Sequence, residues 1–337
     1  MSKTISILGA GSWGTAIGIM LAKKGYAIKL WSAVPSEIAM LKENREHMDR
    51  LPGVKLPDNI LIEDDLEKAC QDNDLIVFAV ASPFVRMTAK KASQFIPEGT
   101  IVVNVAKGIE DGTLLTLTQI LEEEVPHANI AVLSGPSHAE EVSKGIPTTV
   151  VVGTENKDIA ENIQDIFMCD NFRVYISPDV VGIELGGAIK NVIALAAGIV
   201  DGLGFGDNTK AALMTRGITE IARLGIAMGG RIETFSGLSG IGDLIVTCTS
   251  NHSRNHNAGY YIGQGMTVDE ACKKVNQVVE GINSAKAAMD LAKKYEVSMP
   301  IVEEINAVLF ENKSAADALK DLLTRAKQTE YTFVDWN

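Results

Sequence analysis

One lysine lies in the middle of the most apolar stretch of the chain. Lys190 stands within residues 180–200, where nearly every other position is Val, Ile, Leu, Ala or Gly. Burial of an ammonium group is unfavourable and lowers the pKa of lysine toward neutrality. Such a lysine can donate and accept protons near pH 7, which makes Lys190 the first candidate for a general acid/base. The alternative is that its amine reaches solvent along the apolar helix, and periodicity leaves both readings open.

Two polar segments of the C-terminal half could serve the same site. Asp243 stands between the glycine-rich run 236–242 and an apolar segment. A buried carboxylate needs a cation, so Lys190 is a plausible partner, although Asp243 could instead cap the following helix. Ser253-Arg254-Asn255 precedes a predicted helix, with Ser253 suited to cap it. An arginine and side-chain donors at a helix N-terminus form a phosphate site.

Two strand ends of the N-terminal half add further candidates. Lys107 follows the apolar strand 101–105, which places a cation at the carboxyl edge of the sheet, where open α/β sheets bind ligands. A lysine at a strand end can also be simply solvated. The next strand ends in the small-residue turn 134–139, Ser-Gly-Pro-Ser-His-Ala. Such a turn can bring backbone N–H groups to a phosphate or a nicotinamide, or serve only as a connection.

Metal chemistry is not expected. His252 and His256 are four residues apart, but no acid or cysteine completes a ligand set, so we predict solvated histidines. The cysteines are scattered without close pairing, which is typical of reduced thiols in a cytoplasm: Cys70, Cys169, Cys248 and Cys272.

A glycine pattern near the N-terminus predicts a dinucleotide site. Gly9-Ala-Gly11-Ser-Trp-Gly14 follows a short apolar strand and opens a helix. In this context Gly9 permits a tight turn, Gly11 lets the backbone approach a pyrophosphate, and Gly14 lets helix and strand pack closely. The free N–H groups of the helix then face the phosphates.

The end of the second strand distinguishes the two nicotinamide cofactors. An acid there binds the ribose hydroxyls of NAD, and an arginine binds the 2′-phosphate of NADP. The segment 30–35, Leu-Trp-Ser-Ala-Val-Pro, contains neither. Since no carboxylate stands there and Ser32 could donate a hydrogen bond, the sequence favours NADP slightly, with NAD used as well.

The elements that position these residues fall into two parts. Short β-branched runs alternate with helical segments up to about residue 175, which predicts a Rossmann-type doubly wound parallel sheet. From Pro178 onward helical periodicity takes over, so we expect an NAD(P)-binding domain at 1–178 and an all-α domain that binds substrate and carries catalysis at 179–337. The tail after Arg325, with Phe333 and Trp336, shows no clear period. The predicted strands are Thr4–Leu8, Ile28–Trp31, Leu75–Ala81, Ile101–Val105, Ile130–Leu133, Thr148–Val152 and Arg173–Ile176.

Composition excludes several classes of function. The net charge of -12 over 337 residues and the absence of a basic run argue against a nucleic-acid surface, so an anionic substrate needs a local positive pocket. No leader pattern precedes the first strand, which favours a cytoplasmic location. The run 180–200 has the length of a membrane span, but Glu184 and Lys190 and four glycines indicate a helix buried in protein.

The segment 187–198, Gly-Ala-Ile-Lys-Asn-Val-Ile-Ala-Leu-Ala-Ala-Gly, closely resembles the signature helix of the NAD(P)-dependent glycerol-3-phosphate dehydrogenases of bacterial type. Further motifs match in order across about residues 4–325: Gly-Ala-Gly-Ser-Trp-Gly-Thr-Ala at 9–16, Val-Ala-Lys-Gly-Ile-Glu at 105–110, Ser-Gly-Pro-Ser at 134–137, Gly-Ile-Gly-Asp at 240–243 and Ser-Arg-Asn at 253–255. Many bacterial members have Arg or His where this chain has Ser32-Ala33.

The resemblance implies reversible hydride transfer between sn-glycerol 3-phosphate and dihydroxyacetone phosphate, in the direction that supplies phospholipid biosynthesis, by a homodimer. It implies that Lys190 is the general acid/base, that Lys107 contacts substrate and nicotinamide, and that Thr247 supports the substrate site. The positions that surround the substrate are Gly135, Ser137, Asp243, Ser253, Arg254 and Asn255. The cofactor positions are Ser12, Trp13, Lys107, Ala139, Arg254, Val278 and Glu280.

Two rival functions share the two-domain plan. One is a related dehydrogenase acting on a 3-hydroxy acid or a ketopantoate-like substrate, which would need a carboxylate pocket in place of Ser253-Arg254-Asn255. The other is a catalytically silent NAD(P)-binding regulator, against which the presence of Lys190, Asp243 and Arg254 argues.

Overall fold

A computed structural model describes residues 3–327, 329 and 330. One eight-stranded sheet runs in the order β3-β2-β1-β4-β5-β6-β7-β8. Its strands are β1 (Thr4–Leu8), β2 (Ala27–Trp31), β3 (Ile60–Glu63), β4 (Leu75–Phe78), β5 (Ile101–Asn104), β6 (Asn129–Ser134), β7 (Thr148–Gly153) and β8 (Phe172–Ser177). All seven predicted strands are confirmed, with small changes at their ends. The four-residue β3 is an addition that the sequence reading missed.

The Rossmann-type sheet followed by an all-helical part is confirmed, but the sheet is not parallel throughout, which corrects one detail of the prediction. Strands β1 to β6 are mutually parallel, but β7 pairs antiparallel with β6, and β8 is parallel to β7. The only helix between β6 and β7 is Ala139–Ser143. Five helical residues rise roughly 8 Å, whereas a six-residue strand extends roughly 20 Å, so this helix cannot return the chain to the start of a parallel strand.

Helices cover the sheet, and the described chain after Ser177 contains helices and their connections but no strand. Those between the strands are α1 (Ser12–Lys23), α2 (Pro35–Asn44), α3 (Leu66–Cys70), α4 (Val85–Ala92), α5 (Leu117–Glu124), α6 (Ala139–Ser143) and α7 (Lys157–Phe167). Those that follow are α8 (Val180–Gly202), α9 (Asp207–Ala227), α10 (Ile232–Phe235), α11 (Asp243–Thr249), α12 (Arg254–Gly263), α13 (Val268–Val275), α14 (Glu280–Lys294), α15 (Pro300–Phe310) and α16 (Ala315–Thr324). Phe333 and Trp336 of the tail lie outside the described residues.

Helix α8 is the centre of the helical part. By length and composition it could cross a membrane, but the whole apolar window is buried inside the protein. It packs against α9, α11, α12 and α14. Its closest neighbour is α12, because a Cβ on Gly198 would stand 1.9 Å from the carbonyl oxygen of His256, and a Cβ on Gly259 would stand 2.0 Å from that of Leu195. The two helices therefore cross with their backbones in contact.

A buried carboxylate joins α8 to the sheet. Glu184 accepts hydrogen bonds from Thr118 N at 3.0 Å, from the Thr118 hydroxyl, and from Asn104 Nδ2 at 3.4 Å. Burial raises the pKa of Glu184, although the hydrogen bonds from Thr118 oppose the rise. The contacts dock the first turns of α8 beside β5 and α5, which places the middle of α8 beneath the carboxyl ends of the strands.

Candidate active site

A cleft opens where the carboxyl ends of β1, β4, β5 and β6 face α8 and α12. Its volume is about 250 Å³. It is lined by twelve of the residues singled out from the sequence: Gly11, Ser12, Trp13, Lys107, Ser137, Ala139, Lys190, Thr247, Ser253, Arg254, Asn255 and Glu280. Residues from the first and last thirds of the chain thus meet at the sheet edge where ligands bind in open α/β folds.

Lys190 and Asp243 form the buried pair predicted from the sequence. The Lys190 Nζ donates to Asp243 Oδ1 at 2.5 Å and to the Thr247 hydroxyl at 2.7 Å. The Thr247 hydroxyl in turn donates to the backbone carbonyl of Asp243 at 2.6 Å, one turn earlier on α11. Lys190 is 5% exposed and Asp243 1% exposed, so the amine of Lys190 does not reach bulk solvent along the helix.

A second lysine completes the cluster. Lys107, just beyond β5, donates to Asp243 Oδ2 at 2.6 Å and to the backbone carbonyl of Gly135 at 3.1 Å. Gly135 has φ +139° and follows β6, so its turn aims that carbonyl at Lys107. One carboxylate therefore faces two ammonium groups, and the cluster retains net positive charge when both are protonated.

The environment of Lys190 suits proton exchange near neutrality. Burial lowers the pKa of Lys190 to about 7; the charge of Asp243 opposes this shift, and that of Lys107 adds to it. An ammonium has three N–H donors. Asp243 and Thr247 take two of them, so the third is left for a ligand in the cleft.

The glycine loop fits a dinucleotide. Gly9 has φ +117°, and a Cβ there would stand 2.6 Å from the backbone of Ala79; a Cβ on Gly14 would stand 2.0 Å from the carbonyl oxygen of Gly9. The first helical hydrogen bond of α1 runs from Thr15 N to Gly11 O, and no side chain caps the helix. The N–H groups before Thr15 thus remain for a pyrophosphate.

The start of α12 supplies the candidate phosphate site. Ser253 caps the helix by accepting from His256 N at 3.2 Å, and the exposed Arg254 borders the cleft. Asn255 is already engaged, because its Nδ2 donates to Asn191 Oδ1 at 3.0 Å and its Oδ1 accepts from Gly281 N at 2.8 Å. Asn255 therefore braces this corner, with one N–H left for a ligand.

The histidine prediction needs a correction. His252 is exposed, but His256 is buried and pairs with Asp201 Oδ2 at 2.8 Å, with Lys210 bound to the same oxygen at 2.7 Å. The close crossing of α8 and α12 takes His256 out of solvent. Across the described residues no group of His, Cys, Asp and Glu could hold a metal ion.

Some predicted residues lie outside the cleft lining. These are Gly9, Gly14, Ser32, Gly135, Asp243 and Val278. Gln277 lines the cleft instead of Val278, which is 38% exposed. Glu280 accepts hydrogen bonds from the Ser82 hydroxyl at 2.5 Å and from Ser82 N at 3.3 Å, which joins α14 to the segment after β4.

Several lining residues were missed by the sequence reading. Ala106 follows a predicted strand and could have been found from its place at the carboxyl edge of the sheet, whereas Ala79–Ala81 were assigned to the strand itself, which ends earlier, at Phe78. His138 and Asn191 carried no pattern of their own, and Arg50 arrives from an irregular segment. Burial lowers the pKa of His138, and the nearby charge of Lys190 lowers it further.

The hydroxyl of Ser32 is not the free hydrogen-bond donor that the sequence predicts. This hydroxyl donates to Glu37 Oε2 and accepts from Val34 N at 3.1 Å. A carboxylate thus lies at the end of β2 after all, supplied by the first turn of α2. The slight preference for NADP rested on a free Ser32 donor and on the absence of an acid, and neither condition holds.

Comparison with known proteins gives one consistent result. Residues 4–160 match the family model described as NAD-dependent glycerol-3-phosphate dehydrogenase N-terminus, and residues 179–320 match that of the C-terminus. A protein of Agathobacter rectalis named glycerol-3-phosphate dehydrogenase [NAD(P)+] is 58% identical over 98% of this chain and 99% of its own. Its namesake in Fusobacterium nucleatum is 56% identical over 97% and 98%. A crystal structure of glycerol-3-phosphate dehydrogenase from Coxiella burnetii superposes with a TM-score of 0.93, at 35% identity over 96% and 99% of the two chains.

Proposed function

The chain belongs to the NAD-dependent glycerol-3-phosphate dehydrogenase family, and on that premise we propose that Lys190 is the acid/base that interconverts sn-glycerol 3-phosphate and dihydroxyacetone phosphate with NAD(P). The observation that carries the proposal is the buried Lys190, with a pKa near 7, between the glycine loop and Arg254. A bound nicotinamide would supply or accept the hydride at carbon 2 of the substrate. The glycine loop and the N–H groups at the start of α1 would hold its pyrophosphate, and Trp13 and Ala139, which line the same cleft, would contact the cofactor.

Proton transfer falls to Lys190. In the reducing direction its protonated Nζ donates to the carbonyl oxygen of the ketone, and in the oxidising direction the neutral amine removes the hydroxyl proton. Asp243 and Thr247 fix the orientation of the amine. Lys107 adds positive charge beside the reacting oxygen, which stabilises the developing alkoxide.

Arg254 is the residue we assign to the substrate phosphate, together with the Ser253 hydroxyl and the remaining N–H of Asn255. A guanidinium binds phosphate through paired hydrogen bonds, and the N-terminus of α12 adds favourable dipole charge. Ser137 also borders the cleft, but its hydroxyl is bonded to the Gly135 carbonyl at 3.0 Å. We assign Ser137 to the substrate-facing wall beside Lys107.

We also propose the roles of the two domains, the oligomeric state, the location of the enzyme and the direction of the reaction. Residues 1–178 act as the NAD(P)-binding domain and residues 179–337 as the domain that binds substrate and carries Lys190. The enzyme works as a cytoplasmic homodimer and runs toward glycerol 3-phosphate for phospholipid biosynthesis. Sedimentation of the purified chain tests the dimer, and a single monomeric species would contradict it.

The decisive experiment is a steady-state assay of dihydroxyacetone phosphate reduction with NADH and NADPH side by side. Rapid cofactor oxidation supports the proposal. A ketopantoate-like 2-oxo acid and the 3-oxo acid that corresponds to a 3-hydroxy acid serve as the competing arms. Turnover of either acid in place of the phosphorylated ketone would assign the chain to the rival dehydrogenases, and tight cofactor binding without turnover would assign it to the silent regulators.

A further inference from the structure

The carboxylate of Glu37, whose side chain is 10% exposed, lies at the end of β2, beside the expected place of the adenosine ribose of a dinucleotide. The register pairs Leu8 of β1 with Trp31 of β2, and Gly9 N donates to Trp31 O at 2.9 Å. Ser32, the next residue, therefore lies beside the start of the glycine loop. In folds of this type the end of the second strand meets the ribose, and its residues decide between a 2′-hydroxyl and a 2′-phosphate.

The hydroxyl of Ser32 has no donor to offer a phosphate. A hydroxyl carries one proton, and that of Ser32 is committed to Glu37 Oε2, while its oxygen accepts from Val34 N at 3.1 Å. Ser32 thus acts as a clamp that holds the Glu37 carboxylate against the end of β2.

Glu37 is kept in place from its other oxygen as well. His47 Nε2 lies 3.0 Å from Glu37 Oε1, and the His47 side chain is 1% exposed, so the imidazole is not free to turn toward a ligand. Burial would raise the pKa of Glu37, but the hydrogen bonds from His47 and Ser32 and the charge of Arg50 outweigh it and lower the pKa. The carboxylate is therefore a fixed negative charge at neutral pH.

Arg50 is the cation nearest to this carboxylate in the described chain. Its Nη1 lies 3.8 Å from Glu37 Oε1 and 3.4 Å from the point where a Cβ on Gly11 would stand. The guanidinium of Arg50 therefore lies between Glu37 and the glycine loop. The glycine loop would bind the pyrophosphate, which NAD and NADP both contain. Its charge is balanced by Glu37 before any 2′-phosphate arrives.

From this arrangement we propose that Glu37, clamped by Ser32 and His47, is the residue that makes the cofactor site select NAD(H) over NADP(H). A 2′-hydroxyl can donate to the carboxylate, whereas a 2′-phosphate brings a second anion against it. This inference rests on the proposed function only for the use of a nicotinamide cofactor, and it does not depend on which ketone is reduced.

Binding without catalysis tests the proposal. Calorimetric titration of the full chain with 5′-AMP and 2′,5′-ADP isolates the 2′-phosphate, and NADH and NADPH are titrated in parallel. We expect NADH to bind at least about tenfold more tightly than NADPH, and 5′-AMP more tightly than 2′,5′-ADP, because facing like charges are strongly unfavourable. Equal or tighter binding of the 2′-phosphorylated ligands by the unaltered chain overturns the inference.

Three variants test which residue causes the preference for NADH over NADPH. Glu37→Gln removes the charge and releases Arg50, so the affinity for 2′,5′-ADP should rise at least about tenfold while that for 5′-AMP changes little. Ser32→Ala removes the clamp but keeps the charge, and should retain the preference for NADH. Glu46→Gln is the matched control, since Glu46 is a similarly buried acid bound to Lys55 and Gly53 N. An unchanged ratio in Glu37→Gln refutes the role of Glu37, and loss of ketone reduction with this discrimination intact refutes the proposed reaction alone.

Discussion

Lys107 and Lys190 bind the two oxygens of a single carboxylate, that of Asp243, at 2.6 and 2.5 Å. One negative charge thus faces two positive ones, and the surplus is available to an anionic substrate. This explains how a chain with a net charge of -12 can bind a phosphorylated ketone. The surplus exists only while Lys190 is protonated, so the charge of the cluster changes with the proton that catalysis transfers.

Replacement of the buried lysine should abolish turnover without loss of the cofactor. We expect Lys190→Ala to lower kcat for dihydroxyacetone phosphate reduction by more than about a hundredfold, the usual scale for loss of an acid/base. Lys286→Ala is the control, because Lys286 is exposed and paired with Asp111. Calorimetry should show unchanged NADH binding in both variants. Near-normal turnover in Lys190→Ala would remove Lys190 from the mechanism.

The pH dependence should report the titration of Lys190. Reduction needs the protonated amine, so kcat/KM should fall about tenfold per unit as the pH rises above the pKa of about 7, whereas kcat/KM for oxidation should rise to a plateau. Lys190→Arg stays protonated throughout, so its residual activity should lack this limb. Rate profiles between about pH 6 and 10 are the measurement. Parallel profiles for the two directions would contradict the assignment.

Replacement of Asp243, the carboxylate that the two lysines share, should shift the pH profile of ketone reduction. The charge of Asp243 holds the pKa of Lys190 up against burial and against Lys107. In Asp243→Asn the pKa should therefore drop, so the reducing limb shifts to lower pH and activity at pH 8 falls further than at pH 6. Asp111→Asn, at an exposed position, serves as the comparison. A uniform loss of activity with an unmoved limb would mean that Asp243 acts only in folding.

A second buried acid should make stability depend on pH. Glu220 accepts from Ile301 N at 3.0 Å and Val302 N at 3.4 Å at the start of α15, and burial raises its pKa from 4.5 to about 7. Because the pKa of Glu220 is higher in the folded chain than in the unfolded chain, the group contributes its full stabilisation below the unfolded pKa. This contribution is lost as the pH rises through the folded pKa. The stability advantage of the native chain over Glu220→Gln should therefore shrink by about 3 kcal/mol between about pH 4.5 and 7. Denaturant unfolding of both measures it, with the exposed Glu311→Gln as control; a constant difference would refute the shift.

The crossing of α8 and α12 should tolerate no side chain. An alanine Cβ at Gly198 would overlap the carbonyl oxygen of His256, so Gly198→Ala should lower the free energy of unfolding by about 1–3 kcal/mol or more. Gly206→Ala is the matched control, since a Cβ there meets nothing within 4 Å and its φ is -91°. Equal stability of the two variants would show that the helices can separate at little cost.

Local patterns predicted most of the sheet and the site. Gly9 to Gly14 and the β-branched runs carry their meaning within a few residues, and Lys190 stood out as a charge in an apolar run. The sequence predicts the pairing of Lys190 with Asp243 because few groups can accompany a buried ammonium. Contacts between residues that only the path of the folded chain brings together could not be predicted from the sequence. The reversal at β7 follows from the shortness of α6, and the approach of Glu37 to Ser32 follows from the turn at Val34.

The contact between α8 and α12 fixes the distance between the backbones of Lys190 and Arg254. Asn191, next to Lys190, is hydrogen bonded to Asn255, next to Arg254, and the two helix backbones touch through Gly198 and Gly259. The backbones that carry Lys190 and Arg254, the proposed proton donor and phosphate-binding residue, therefore belong to one rigid unit. On the proposed roles, such a unit would select ketones by the number of bonds between the carbonyl carbon and the phosphorus atom. A homologue one carbon longer should bind through its phosphate and yet present the wrong carbon to Lys190.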